Sequence, residues 1–411
     1  MTINQDFSGN DASRDLEGIR AEVLERVDSI LPLLARNAAQ AEADRDLPRE
    51  SFDALVASGA LRLFAPRRFG GLEAGYRTYF ETTIKVAPAC GSSAWLCFIL
   101  NHGDWQIGQM TRAVQDQAWA GGATSKIAVP LAPAPGWRAA KVDGGTMITG
   151  EWPYSSGSSF VNSALIGFPM IGDDGKPFDN KLGLISMDGV EIKDSWHVAG
   201  MAATGSNTLV VKDAFIPDSH TITLSDLLNH RFRTPYTQEA QYHMDVGAVF
   251  HLATLAPVLG LAKAAFEMTL ERITGKPKPM TYSFYGDTTK APSTQFAMAE
   301  ASWMIDTAME QALATADAID RQAQMSTPFS SQQRARFAMR AAQGHRLCRG
   351  AVERLLDVQG AGSFALANPL QRIWRDMSIA TRHGMSVPGL KQEVYGRSLL
   401  GAQEQQMTPI V

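Results

Sequence analysis

What this chain lacks narrows its function first. It has three cysteines in 411 residues, Cys90, Cys97 and Cys348. They form no CxxC pair and no Cys/His metal spacing, so a disulfide scaffold is excluded and no metal is expected. They read as reduced, partly buried thiols of a cytoplasmic protein. An excess of basic charge is also missing: 38 Lys and Arg stand against 42 Asp and Glu, a net charge of −4. Such a surface offers no footprint for nucleic acid or an anionic membrane. The longest apolar runs fall far short of the about 20 residues that a bilayer span needs, and Met1 to Leu16 is polar rather than a signal segment. No GxGxxG follows a strand pattern, so NAD(P)H is not expected to bind this chain.

What is present is a change of texture along the chain. The first ten or so residues are polar and read as disordered. From Asp15 to about Ala43 apolar residues recur at helical spacing: Ile19, Val23, Val27, Ile30, Leu31, Leu34. Helices follow over Arg49–Ser58, Tyr76–Ala87 and the mostly apolar Ser92–Met110. From Gly121 to Ile222 the chain turns rich in Gly, Pro and Asp, with short β-forming runs and hairpin signals at Gly144-Gly145 and Asp173-Asp174-Gly175. Helical spacing then returns over His251–Arg272, Ser293–Met325, Ser330–Asp357 and Leu370–Gly384, with much Ala, which lets helices pack closely. The expected fold class is α+β: a helical domain over 1–117, a β-barrel-like domain over 118–228 and a four-helix bundle over 229–411.

Punctuation motifs sit on this frame. Leu47-Pro48 leads to Ala65-Pro66 and Phe69-Gly70-Gly71. Trp152-Pro-Tyr-Ser-Ser-Gly157 lies in a strand pattern. Trp196-His-Val-Ala-Gly-Met-Ala-Ala-Thr-Gly-Ser206 is a glycine-rich turn that runs on to Pro217. Leu255-Ala-Pro-Val-Leu-Gly-Leu-Ala-Lys-Ala-Ala265 opens the helical return. Four such motifs in this order resemble the acyl-CoA dehydrogenase superfamily over nearly the whole chain. Dehydrogenases of that superfamily need a carboxylate base, in many members a Glu between a Tyr and a Gly near the C-terminus. Here Tyr395 is followed directly by Gly396; Glu393 is off the pattern and Glu267 lies far down the bundle helix. Histidines at 102 and 383 instead match the branch of two-component flavin-dependent monooxygenases.

The resemblance implies an oxygenase component that takes reduced FMN or FAD from a separate NAD(P)H:flavin reductase. With dioxygen it forms a flavin C4a-hydroperoxide and hydroxylates a small, electron-rich aromatic, in the first place a phenol. The expected assembly is a homotetramer. N- or S-oxygenation on the same fold, and an acyl-CoA dehydrogenase, are the alternatives. Ser156 is the residue expected at flavin N5, with Ser155 as the register alternative, because a hydroxyl both donates and accepts. Trp152 and Tyr154 are candidates to pack against the ring, and Gly157, Trp196, Thr204 and Ser206 to complete the cofactor site. Arg372 and Arg375 either pair locally with Asp376 or reach a flavin phosphate or a neighbouring subunit; Arg231 and Arg233 are further phosphate candidates. His383 is the expected hydrogen-bond partner of the reacting oxygen, and His102 the base or orienting group for the substrate. His251 is open to either a ligand-facing or a structural role. Phe98, Trp105, Tyr242, Met244, Phe250 and Met385 are candidate pocket residues.

Overall fold

A computed structural model describes residues 16–276 and 278–402. The polar first ten residues lie outside the described residues. Five helices open the chain: α1 (Leu16–Asp44), α2 (Arg49–Ala57), α3 (Tyr76–Val86), α4 (Gly91–Gly108) and α5 (Arg112–Ala118). Eight strands follow: β1 (Ile127–Ala128), β2 (Arg138–Val142), β3 (Gly145–Ser155), β4 (Ser163–Ile171), β5 (Pro177–Ser186), β6 (Glu191–Lys193), β7 (Asn207–Pro217) and β8 (Thr221–Thr223). They form two four-stranded sheets, in the orders β1-β4-β5-β8 and β2-β3-β7-β6. The pairs are antiparallel apart from β1 with β4. The sheets share a buried core of Ile148, Trp152, Ile166, Phe168, Leu209 and Val211. Both expected hairpins are present, with Gly144 and Gly175 at positive φ in their turns.

After α6 (Leu224–Leu228) the chain returns to helices: α7 (Val246–Ala253), α8 (Leu255–Gly275), α9 (Pro292–Met325), α10 (Ser331–Gln359), α11 (Pro369–Ala380) and α12 (Pro388–Leu400). Their starts are written in the sequence. Ser330 and Gln333 form a reciprocal capping box on α10, and Asn368 caps α11 with Pro369 at its first position. The helix read from His251 to Arg272 is two helices broken at Thr254. Pro257 explains the break, because it has no N–H to return to the carbonyl four residues back. α12 has no counterpart in the sequence reading. A second correction concerns hydropathy: Val246–Gly275 is long and apolar enough to cross a bilayer by length and composition, with 89 % of the scoring window buried inside the protein. Its first half is buried on nearly every side because α3, α9, α10 and α11 pack around α8, while Lys263, Glu267 and Glu271 keep one face of the second half in solvent. One apolar core runs without interruption from α1 through α4 into α7–α11.

Candidate active site

The site is built along α4. Trp95, Phe98, His102 and Trp105 recur at three- and four-residue steps and form one face of the helix. The Trp95 and Phe98 rings meet edge-on at 4.9 Å, and Phe98 and His102 at 5.0 Å. Trp95 joins two of the expected residues. Its indole N–H donates to Ser156 Oγ at 3.2 Å, and its ring lies 5.5 Å from that of His383. Ser156, His383 and His102 therefore line one face of one buried helix.

A bulge in β3 delivers Ser156. Trp152 pairs with Leu209 and Ser155 with Asn207, so β3 carries one residue more than β7 between these pairs. Tyr154 absorbs the extra residue in the left-handed region, at φ +62°. Such strain in a non-glycine residue is characteristic of functional sites. Ser155 turns back and donates to the Trp152 carbonyl at 3.0 Å, which uses its hydroxyl inside its own strand. Ser156 is left facing α4, and Gly157 takes φ +73° where a side chain would be strained. Trp152 corrects an expectation: it is fully buried between the sheets and donates to the Gly167 carbonyl at 2.8 Å, a core residue and not a ring-packing one. Tyr154 is 70 % exposed and rests edge-on against Trp196 at 5.9 Å, at the rim of the site.

The Trp196–Ser206 loop joins β6 to β7 and packs against α4 and α11. Its hydroxyls form a chain. Ser156 Oγ is 2.7 Å from Ser206 Oγ, which is 2.7 Å from Thr204 Oγ1, and Thr204 Oγ1 donates to the Met201 carbonyl at 2.8 Å. Trp196 Nε1 donates to the same carbonyl at 3.0 Å. The loop is clamped by Asp376, which accepts the Met201 N–H at 2.5 Å. Burial raises the Asp376 carboxyl to about 6. Arg375 does not pair with Asp376 and does not point to a free site. It bonds Glu42, Gln371 and the Ala199 carbonyl, tying α11 to α1 and the loop. Arg372 is half-buried and adds a positive charge near Asp376. Arg231 pairs with Asp226 at the surface, and Arg233 donates to the carbonyls of Asp218 and Thr221.

His383 follows α11 and caps the short turn Gly384–Ser386. Its Nδ1 accepts the Met385 N–H at 3.3 Å. Burial, with Lys391 as a second cause, lowers its pKa to about 4. A neutral ring that accepts at Nδ1 carries its proton on Nε2, so His383 presents an N–H donor. Behind it lies a polar cluster absent from the sequence reading. Thr254 Oγ1 bridges His345 Nε2 at 3.4 Å and Ser386 Oγ at 2.9 Å, and the buried Lys391 donates to the His251 carbonyl at 3.4 Å. Lys391 has no carboxylate partner among the described residues, and burial lowers its ammonium to about 8. His251 is buried, with its carbonyl bound by this lysine.

His102 is 2 % exposed and enclosed by Tyr79, Phe98, Trp105 and Phe250. Its Nε2 has no partner, and burial lowers its pKa to about 3. The ring is therefore neutral, with an unpartnered nitrogen that can meet a substrate hydroxyl as base or as orienting group. The turn that carries it is fixed on both sides. A side chain at Gly103 would meet the Ile127 carbonyl at 2.5 Å. Asp104 forms a fully buried ion pair with Lys126 at 3.4 Å and accepts from Trp119 at 2.9 Å. Of the candidate pocket residues, Phe98, Trp105, Tyr242, Met244 and Phe250 are buried and Met385 is partly buried. The two glutamates that a dehydrogenase reading could have used face solvent, Glu267 beside Lys263 and Glu393 bonded to Arg397.

Trp95 was the discoverable omission, seven residues before His102 and hence on the same helix face. Lys391 had no signal, and Asp376 was placed only beside its neighbouring arginines, because the groups they bind lie far away in the chain. The residues present suit a flat heterocycle with a polar edge: one hydroxyl with spare hydrogen-bonding capacity, one N–H donor and an aromatic wall. Residues 252–388 match the family model "Acyl-CoA dehydrogenase, C-terminal domain". The flavin-dependent monooxygenase oxygenase subunit HsaA of Mycobacterium tuberculosis (strain ATCC 25618 / H37Rv) is 31 % identical over 386 residues, 92 % of this chain and 95 % of the relative. The oxygenase component of p-hydroxyphenylacetate 3-hydroxylase from Acinetobacter baumannii is 26 % identical, covering 95 % of this chain and 91 % of the relative. XiaF from Streptomyces sp., solved in complex with FADH2 and glycerol, superposes with a TM-score of 0.87 at 28 % identity, over 96 % of this chain and 98 % of that one. The chain therefore belongs to the oxygenase subunits of flavin-dependent monooxygenases, on the acyl-CoA dehydrogenase fold.

Proposed function

We propose that this chain takes reduced flavin from a separate NAD(P)H:flavin reductase and hydroxylates a small phenolic or similarly electron-rich aromatic. The observation that carries the proposal is the meeting of Ser156, His383 and His102 along one face of α4. Reduced flavin, when bound, supplies the electrons that activate dioxygen. The chain's own residues do the rest. Ser156 holds the central ring edge. His383 offers its Nε2–H where negative charge develops on oxygen, as a preorganised donor. His102 orients the substrate hydroxyl with the ring nitrogen that otherwise lacks a partner. Trp105 and Phe250 wall the substrate side.

FAD is the proposed flavin. XiaF, 28 % identical, is in complex with FADH2, and a resorcinol hydroxylase of Rhizobium named FADH2-dependent is 27 % identical. A homotetramer is proposed as the assembly, and the exposed Phe296 and Trp303 on α9 are surfaces a second copy would cover. The test is anaerobic loading with reduced FAD or FMN followed by stopped-flow mixing with oxygen. A transient absorbance distinct from oxidised flavin is expected, shortened at least tenfold by His383→Ala. No transient with either flavin would overturn the proposal.

A further inference from the structure

The hydroxyl chain beside Trp95 has a direction, and that direction follows from its contacts alone. A carbonyl only accepts, so the Thr204 proton goes to Met201 O. The short Thr204–Ser206 contact must then hold the Ser206 proton, and the short Ser206–Ser156 contact the Ser156 proton. Three hydroxyls have three protons for three contacts, so this is the one arrangement that leaves none of the three without a hydrogen. Ser156 Oγ also accepts from the Trp95 indole. A hydroxyl has one proton and two lone pairs. With its proton committed to Ser206 and one lone pair to Trp95, Ser156 retains a single lone pair for a ligand.

We propose that Thr204, Ser206 and Trp95 are positioning residues that make Ser156 a pure hydrogen-bond acceptor, and thereby select flavin by redox state. The inference rests on the proposal above that Ser156 meets flavin N5. Reduced flavin carries a hydrogen on N5 and satisfies the acceptor. Oxidised flavin has a bare N5 lone pair, which sets lone pair against lone pair in a buried site. Thr204 and Ser206 thus act on the cofactor through Ser156, in place of the direct contact expected from the sequence.

The test uses the full-length, flavin-free protein and measures affinity for oxidised and anaerobically reduced FAD and FMN, with the midpoint potential of the bound flavin as an independent readout. Wild type is expected to bind the reduced form more tightly. Ser206→Ala cuts the chain and frees the Ser156 proton. Oxidised flavin should then bind more tightly, reduced flavin should bind much as before, and the ratio should fall about tenfold, the size of one hydrogen bond. For a two-electron couple a tenfold fall in that ratio lowers the potential of the bound flavin by about 30 mV. Ser156→Ala should weaken the reduced form instead. Ser206→Thr keeps the hydroxyl and should restore the wild-type ratio. Equal weakening of both redox forms in Ser206→Ala, or an unchanged ratio, would overturn the inference while leaving the monooxygenase proposal intact. Failure of wild type to bind either flavin would remove both.

Discussion

His102 shows what a functional residue costs the protein that keeps it. Its ring sits among four aromatic rings with one nitrogen unsatisfied. Folding depresses its pKa from 6.5 to about 3, so below pH 6.5 the unfolded chain binds a proton that the native chain refuses. The native state is therefore penalised progressively as pH falls toward 3, by about 1.4 kcal/mol per pH unit. His102→Phe removes that penalty. It should unfold at higher urea than wild type at pH 5, with the difference growing on acidification, and should bind flavin but yield little hydroxylated product. A stability difference that does not change with pH would contradict the burial account. At this scale the sequence carried much of the site. Ser156, His102 and His383 stand in motifs with their own chemistry, and the structure brings them together. Trp152 turned out to be a core residue, because its register with Leu209 points it between the two sheets, and the sequence pattern does not say which face of a strand is inward. The committed direction of the Ser156 hydroxyl was beyond reach, since it depends on a carbonyl at Met201 and an indole at Trp95.

α4 is a positioning device as well as a wall. Its C-terminal half is held by the buried Asp104–Lys126 pair and by the close approach of Gly103 to β1. Breaking one side of such a pair leaves a buried charge without its partner and typically costs about 3–5 kcal/mol, whereas removing both sides can be nearly neutral. Asp104→Asn and Lys126→Met should each lower stability by that order, and the double variant should recover a large part of it. If the single losses simply add, the ion pair is not what holds this turn. Most helices were legible from apolar spacing and caps. The break at Thr254 follows from Pro257 once the register is known. α12 escaped because Gly389 and Gly396 interrupt it and few of its residues are buried. The same helix supplies Lys391, so the polar cluster behind His383 went unseen with it.

The order of helices, strands and helices was visible as a change in composition, but the joining of the two helical segments was not. α3 packs on α8 and α9, and α4 on α8 and α11. Apolar periodicity shows that a helix has a face to bury; it does not show which distant helix buries it. The first five helices consequently lack a core of their own. A fragment ending at Ala118 is expected to show no cooperative unfolding transition by circular dichroism, and a sharp one would refute the single-core description. The continuous core also has a consequence in time. About 170 residues separate the end of α3 from the start of α8. At ribosomal speeds of about 5–20 residues per second, that distance is roughly ten to thirty seconds of synthesis. Through most of that interval α1 and the α3–α4 contact cover only part of these helices, and the faces that α8, α9 and α11 will bury have no partner while the sheets between are still being made. The nascent chain is thus a natural client for a chaperone, and the two ends of the active site can meet only when translation is nearly complete.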